Sequence, residues 1–297
     1  MKPRTKFPSY ILANDAMNIS IFARPYFISE DPDTTTGPYL HRGTSYIRGE
    51  QIASYLGGKY NPKDGFDHDI CIYLKPKPQT FNQIKDGSYV DFSDAEPYLK
   101  DLLKTRPKIK VITSSLTSFH FLKDRLENEV FLIPEHHSNF EKTNRTRKEI
   151  TTGGIITNPS AITYPAYQQI KNRLAKIGFG FITCYDWKTR QNVVDFYSQI
   201  DFQVIGLFGV YDECDPFRHP TKIINAASYG IPTVANWQLG YQEFEGNYIP
   251  VRNIDELVKE SEKLKDPDYY QQWSKRIIEP AQSYHISKIA RLYEELR

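Results

Sequence analysis

The stretch from Phe217 to Ala235 carries the residues best suited to chemistry on a phosphorylated ligand. Two cations, Arg218 and Lys222, flank His219, Pro220 and Thr221. The run then reads as a short helix and an apolar strand. Pro220 suits the first helical position, where its missing donor costs nothing, and Gly230 followed by Pro232 suits the helix end. Ile223, Ile224 and Ala227 are expected to face the core. Thr221, Lys222, Asn225 and Ser228 are expected on the other side, near the positive end of the helix dipole. Free backbone donors, that dipole and an ammonium together suit a diphosphate. The plainer alternative is an ordinary surface helix with a solvated lysine.

The surrounding chain alternates strands and helices. Asn18 to Ala23 reads as a first strand, and a helix follows from near Ser45 through Arg48 to Leu56, ended by Gly57 and Gly58. Asp69 to Leu74 is a short apolar run of the kind found in buried parallel strands. Further strands are expected at Ser88 to Asp91, Lys108 to Thr113 and Val130 to Pro134. Helices are expected from Glu96 to Lys104 and, capped by Ser114 or Ser115, towards Leu126. From Glu135 to Glu149 the chain is polar and charged without a hydrophobic period, which reads as a linker. The alternation then restarts. Strands are expected near Gly153 to Thr157, Gly178 to Thr183, Phe202 to Phe208 and Tyr248 to Val251, with helices at Ala166 to Ile177, Val193 to Tyr197, Ile254 to Leu264 and through the C-terminal segment. The fold class is therefore α/β with two doubly wound parallel-sheet domains, 1–140 and 150–297, and a helical tail whose last helix is free to pack back on the first domain.

Length agrees with that count, since 297 residues exceed what one core comfortably holds. With 38 basic and 36 acidic residues there is no basic excess of the kind that marks nucleic-acid proteins. Cys71, Cys184 and Cys214 lie far apart without metal-site spacing, which points to a reducing, cytoplasmic setting. No run approaches the ~18 apolar residues a membrane span needs. The segment Leu99 to Lys108 is basic and partly apolar, which suits either peripheral contact with the inner face of a membrane or a solvated helix.

The order Pro220-Thr221-Lys222, then small residues, Gly230-Ile231-Pro232 and an apolar strand resembles the donor-sugar-binding motif of GT-B glycosyltransferases. Gly240-Tyr241-Gln242-Glu243 matches the turn that usually follows that motif, and Ser45 to Gly49 and Ile133 to His137 are similar to other parts of the family's pattern. The resemblance implies two Rossmann-like domains facing a cleft, and a transferase of the hexosyl type that takes a nucleotide sugar. The acceptor would be a glycan, a lipid-linked chain as in polysaccharide biosynthesis, or a small molecule. It implies no resident cofactor and no metal, the leaving diphosphate being stabilised by fixed charges.

Within that resemblance Lys222 and Arg218 would steady the leaving group, and Thr221, Gly153, Gly154, Asn236 and Glu243 would line the donor site. Asn225 stands where retaining members carry a glutamate for the ribose hydroxyls, and an amide accepts more weakly than a carboxylate. Asp212, Glu213 and Asp215 are the nearby carboxylates. The nucleotide base would meet the chain near Tyr185 to Trp187. On the acceptor side fall Ser45, Arg48 and Asp91, with His120, Asp91, Asp94 and His41 as candidate bases for an inverting reaction. His219 reads as a helix cap, and His136 and His137 as solvated linker residues. The alternatives are a non-catalytic nucleotide- or sugar-binding module and a nucleotide-sugar epimerase.

Overall fold

A computed structural model of the chain describes residues 18–23, 43–93, 97–144, 147, 149–157, 163–185, 187, 189–206, 208–209 and 212–296. The candidates His41 and Asp94, and Asp186 within the expected base contact, lie outside the described residues. The chain divides into two compact units, one of Met1–His136 with Ile286–Arg297 and one of His137–His285.

In the first unit, β1 (Ile19–Ala23), β2 (Lys59–Tyr60), β3 (Ile70–Leu74), β4 (Tyr89–Asp91), β5 (Lys110–Thr113) and β6 (Val130–Leu132) form one sheet in the order β2-β1-β3-β4-β5-β6. Every pairing in it is parallel. All five residues of β1 are buried, as expected for a strand covered on both faces. A π-helical segment, Ser45–Gln51, runs into helix α1 (Ile52–Leu56), which ends on Gly57 in the left-handed region. Helices α2 (Pro78–Phe81), α3 (Pro97–Lys104) and α4 (Leu116–Lys123) complete the alternation. Ser115 caps α4 in a reciprocal capping box with Ser118. Leu99 and Leu103 of α3 are fully buried and belong to the core of this unit, while Leu102 is half-buried. The edge strand β2 and the short α2 have too few residues to show a period in the sequence.

The second unit repeats the plan. Strands β7 (Thr152–Ile156), β8 (Gly180–Cys184), β9 (Phe202–Ile205), β10 (Thr233–Asn236) and β11 (Ile249–Val251) form a parallel sheet in the order β11-β10-β9-β7-β8. Helices α5 (Pro165–Lys176), α6 (Arg190–Gln199), α7 (Thr221–Ser228), α8 (Ile254–Lys263) and α9 (Pro267–Gln282) cover both faces. On one face Ile170 and Leu174 of α5 and Leu257 of α8 pack against Phe202, Val204 and Val234. On the other, Ile223, Ile224 and Ala227 of α7 and Ile277 of α9 pack against Ile205 and Ala235. In such a sheet, ligands gather beyond the carboxyl ends of the strands, near the point where strand order reverses. Here the reversal lies between β7 and β9, and the loop that leads into α7 leaves the end of β9.

The last helix, α10 (Ile286–Glu294), belongs to the first unit, where it packs on α1. Among the described residues no helix is long and apolar enough to cross a membrane.

The segment read as a solvated linker is solid structure over its first half. Glu135, His136, His137 and Asn139 are all buried. His136 bonds through Nε2 to the Ile47 carbonyl at 3.0 Å, inside the first unit. In the second unit the His137 N–H donates to the Tyr284 carbonyl at 3.0 Å, and the Asn139 amide donates to the carbonyls of Ser228 and Thr143. A polar sequence without a hydrophobic period is read as exposed, but here side-chain amides and imidazoles supply the bonds that burial requires.

Candidate active site

Helix α7 begins at Thr221, with Pro220 as its N-cap rather than its first helical residue, a shift of one position. The Pro220 carbonyl accepts from Ile224 N–H at 2.9 Å. His219 joins its Nδ1 to the Thr221 hydroxyl at 2.6 Å, beside the cap. At the other end Ile231 N–H reaches the Ala226 carbonyl and Gly230 N–H the Ala227 carbonyl, with Gly230 at a φ of 71°. These are the two bonds of a Schellman ending, and only glycine takes that backbone angle freely.

Every residue of α7 except Lys222 is buried. The expectation of a polar face open to ligand is thus corrected for Asn225 and Ser228. Asn225 accepts the Ser138 N–H through Oδ1 at 2.7 Å and donates through Nδ2 to the Thr221 carbonyl at 3.0 Å. Ser228 donates its hydroxyl to the Asn225 carbonyl at 2.7 Å. In place of the carboxylate that would hold a ribose, the helix carries an amide that ties down the first residues of its own unit.

Lys222 is left as the polar group that α7 presents. Among the described residues its ammonium makes no hydrogen bond or ion pair, and its pKa is pushed down to about 8, first by burial and then by the neighbouring Arg218 guanidinium. Arg218 pairs through Nε with Asp215 Oδ2 at 3.3 Å, and Asp215 also accepts the Phe217 N–H at 2.9 Å through Oδ1. Asp212 accepts the Cys214 N–H at 2.9 Å. These two aspartates therefore shape the loop, and Glu213 contributes its carbonyl, which accepts Leu239 N–H at 2.8 Å.

That last bond joins the loop before α7 to the 3-10 helix Leu239–Phe244 after β10. The contact tightens at Gly240. A Cβ there would stand 1.8 Å from the Arg218 carbonyl oxygen, so only glycine lets the two backbones meet. Tyr241 lies near Arg218 as well, although burial raises its hydroxyl pKa to about 12 and Arg218 only moderates the rise. Asn236, the last residue of β10, is buried, and Glu243 is half-buried beside Tyr284.

Other expected residues sit elsewhere. Gly153 and Gly154 are packing glycines of β7. A Cβ on Gly153 would meet the Phe202 ring at 2.7 Å and one on Gly154 the Ile200 side chain at 2.3 Å, so neither opens the backbone to a phosphate. Arg48 and Asp91 are 1% and 0% exposed and form an ion pair, Nε to Oδ2 at 2.6 Å, with Arg48 Nη1 donating to the Ile133 carbonyl at 2.7 Å. Burial works against the Arg48 charge, but Asp91 above all, then Tyr293 and Glu135, more than offset it. Burial pushes the Asp91 carboxyl up while Arg48 pulls it back. An acceptor cannot reach either group, and both are corrected to internal anchors near Tyr293 of α10. Ser45 is half-buried at the start of the π-helical segment, where its carbonyl accepts from Tyr60 at 3.2 Å. His120 is exposed on α4 with its ring edge-on to Phe119, and no carboxylate partners it among the described residues. Tyr185 is exposed beyond β8. Among the described residues no three His, Cys, Asp or Glu side chains are grouped to hold a metal ion.

Two features escaped the sequence reading. Gln203 stands in the middle of β9 and Gln238 just beyond β10, at 0% and 3% exposure. A glutamine within the apolar run Phe202-Gln203-Val204-Ile205 is a legible sign of a buried partner, because an unpartnered amide there would be costly.

No family model matches the sequence, and no curated protein matches it significantly. Solved structures do share its architecture. A glycosyltransferase from Rickettsia africae superposes with a TM-score of 0.55 at 11% identity, over 95% of this chain and 98% of that one. HepE of Anabaena, solved in complex with UDP and glucose, gives 0.56 at 11% identity over 93% and 98%. The pneumococcal O-GlcNAc transferase GtfA, in complex with UDP and GlcNAc, gives 0.51 at 12% identity over 76% of this chain, which spans only 56% of that protein. The chain has the GT-B fold, two parallel-sheet α/β units with a C-terminal helix.

Proposed function

We propose that the protein is a glycosyltransferase that moves a sugar, of the hexosyl type, from a nucleotide-sugar donor to a glycan, lipid-linked or small-molecule acceptor. The acceptor oxygen attacks the anomeric carbon, the bond from that carbon to the diphosphate oxygen breaks, and the electron pair leaves on the nucleoside diphosphate. The acceptor proton passes to a base or to solvent. Charge builds on the diphosphate as the bond breaks, and a fixed cation that need not reorganise stabilises it.

The observation that carries this reading is Lys222, half-buried at the first turn of α7, beside Arg218, with no anionic partner among the described residues. The neighbouring Arg218 guanidinium adds to the positive charge that would favour a bound anion. Thr221 and the first-turn amides add donors. Glu243, half-buried on the turn after β10, would extend the site towards the donor's hydroxyls. With the charge supplied by side chains, turnover needs no resident metal and should survive chelation.

One observation favours the non-catalytic alternative, a nucleotide- or sugar-binding module. The amide oxygen of Asn225 accepts the Ser138 N–H, so it is already engaged within its own unit. A panel of nucleotide sugars with wild-type protein and Lys222→Ala decides. Release of nucleoside diphosphate by the wild type that is lost in the variant supports transfer, whereas binding without release supports the module. A free nucleotide sugar altered at a ring carbon would point to epimerisation instead.

A further inference from the structure

Gln203 is the only polar residue of β9, flanked by Phe202, Val204 and Ile205, and is 0% exposed. Packing alone would favour an apolar residue there. The amide is fully used. Its Oε1 accepts the Tyr197 hydroxyl at 2.8 Å, and its Nε2 donates to the Lys222 carbonyl at 2.9 Å and to Thr233 Oγ1 at 3.2 Å. The amide can be turned only one way. A carbonyl accepts and never donates, so the nitrogen must face Lys222 and the oxygen is left for Tyr197.

Four elements meet at this point: Tyr197 from α6, Gln203 from β9, Thr233 from β10 and the first turn of α7. Tyr197 also reaches the Lys222 carbonyl, at 3.4 Å, and is held by stacking on Tyr229 with ring centroids 5.3 Å apart. Gln203 and Thr233 are directly paired in the sheet register, which fixes the amide relative to β10. Two buried side chains thus converge on one main-chain oxygen, and that oxygen belongs to the residue whose ammonium has no partner among the described residues. A network with every member satisfied is rigid, and rigidity matters most where a charge must meet a ligand within a fraction of an ångström.

We propose that Gln203 is a positioning residue for Lys222. It fixes the backbone at the start of α7 so that the ammonium is held, partly desolvated, against the diphosphate. The inference rests on the reading of Lys222 given above, and concerns a residue that touches no substrate.

The test is a kinetic comparison of Gln203→Met, which keeps the volume but has no amide, with Thr233→Val, which keeps the Lys222 bond, and with Lys222→Ala. The first turn of α7 loosens in Gln203→Met and Lys222 becomes better hydrated. Turnover should fall about 10-fold or more, as misplacement by a fraction of an ångström allows. The alkaline limb of kcat/KM, expected at about 8 in the wild type, should move to higher pH. Thr233→Val should leave that limb in place. A folded Gln203→Met with a lower Tm but an unmoved limb and unchanged kcat overturns the inference and makes Gln203 structural only. Should Gln203→Met fail to fold, Gln203→Leu, which likewise lacks the amide that bonds the Lys222 carbonyl, reads the same limb, a shift supporting the inference and an unmoved limb opposing it. Wild-type turnover by Lys222→Ala would instead remove the underlying reading, and this inference with it. Loss in Lys222→Ala with no change in Gln203→Met sinks the positioning role alone.

Discussion

The carbonyl oxygen of Arg218 lies where a side chain on Gly240 would begin, 1.8 Å from the position of a Cβ. The loop before α7 and the turn after β10 are thereby locked backbone to backbone, and the Leu239 N–H bond to Glu213 closes the same contact from the other side. Arg218 owes its place beside Lys222 to this junction as much as to its ion pair with Asp215.

Gly240→Ala should therefore destabilise the second unit by about 2 kcal/mol, within the usual range for overpacking. It should also displace Arg218. Denaturant unfolding gives the first number, and a weaker affinity for UDP, measured by calorimetry, shows the second. An alanine variant with wild-type stability would mean that the two loops part without cost.

Asn225→Ala removes the acceptor of the Ser138 N–H and should cost about 1–3 kcal/mol for the buried donor left unsatisfied. Nucleotide affinity should change far less than stability. A large loss of affinity with unchanged unfolding would restore the ribose-binding role that the resemblance implies.

Asp91→Asn takes the ion-pair partner from the buried Arg48 and should cost about 3–5 kcal/mol. Tyr293→Phe should be close to neutral, because its buried hydroxyl has no hydrogen-bond partner to lose among the described residues. Paired unfolding curves check both, and a Tyr293→Phe variant as unstable as Asp91→Asn would reveal a bond to that hydroxyl.

Turnover should depend on pH through Lys222. Its pKa in the folded protein, about 8, lies below the ordinary lysine value, and the charged form is the active one. Activity as kcat/KM should thus be full below about 7 and fall as pH rises through 8. A bound diphosphate favours the ammonium, so the limb of kcat should lie at higher pH than that of kcat/KM. For stability the sign is opposite. Between pH 8 and the ordinary lysine range the unfolded chain binds more protons, so this group's penalty on the fold is relieved as pH rises.

Much of the fold was legible because its signals are local. Apolar runs such as Ile70 to Leu74 mark strands, Ser115 marks a cap, and Gly230 marks the end of α7, each within a few residues. The site was legible only in part. Lys222 and Arg218 stand out as cations beside a helix start, but the fates of Arg48 and Asp91 depend on each other across 43 positions, and that of Asn225 on Ser138 across 87. Nor does the sequence show that Gly153 and Gly154 make room for Phe202 and Ile200. A polar residue type does not reveal whether its partner is a ligand or a distant backbone group. His136 and His137 were misjudged for the same reason, since a buried imidazole and a solvated one look alike without their partners.

The grip of Lys222 on a diphosphate is tested most directly by following its side-chain NMR signal through a pH titration, with and without UDP, using Lys222→Ala to assign the resonance. The expected pKa is about 8 in the free protein, moving clearly upward when UDP is bound. A lysine that titrates near its ordinary value, or whose midpoint ignores saturating UDP, would contradict the account.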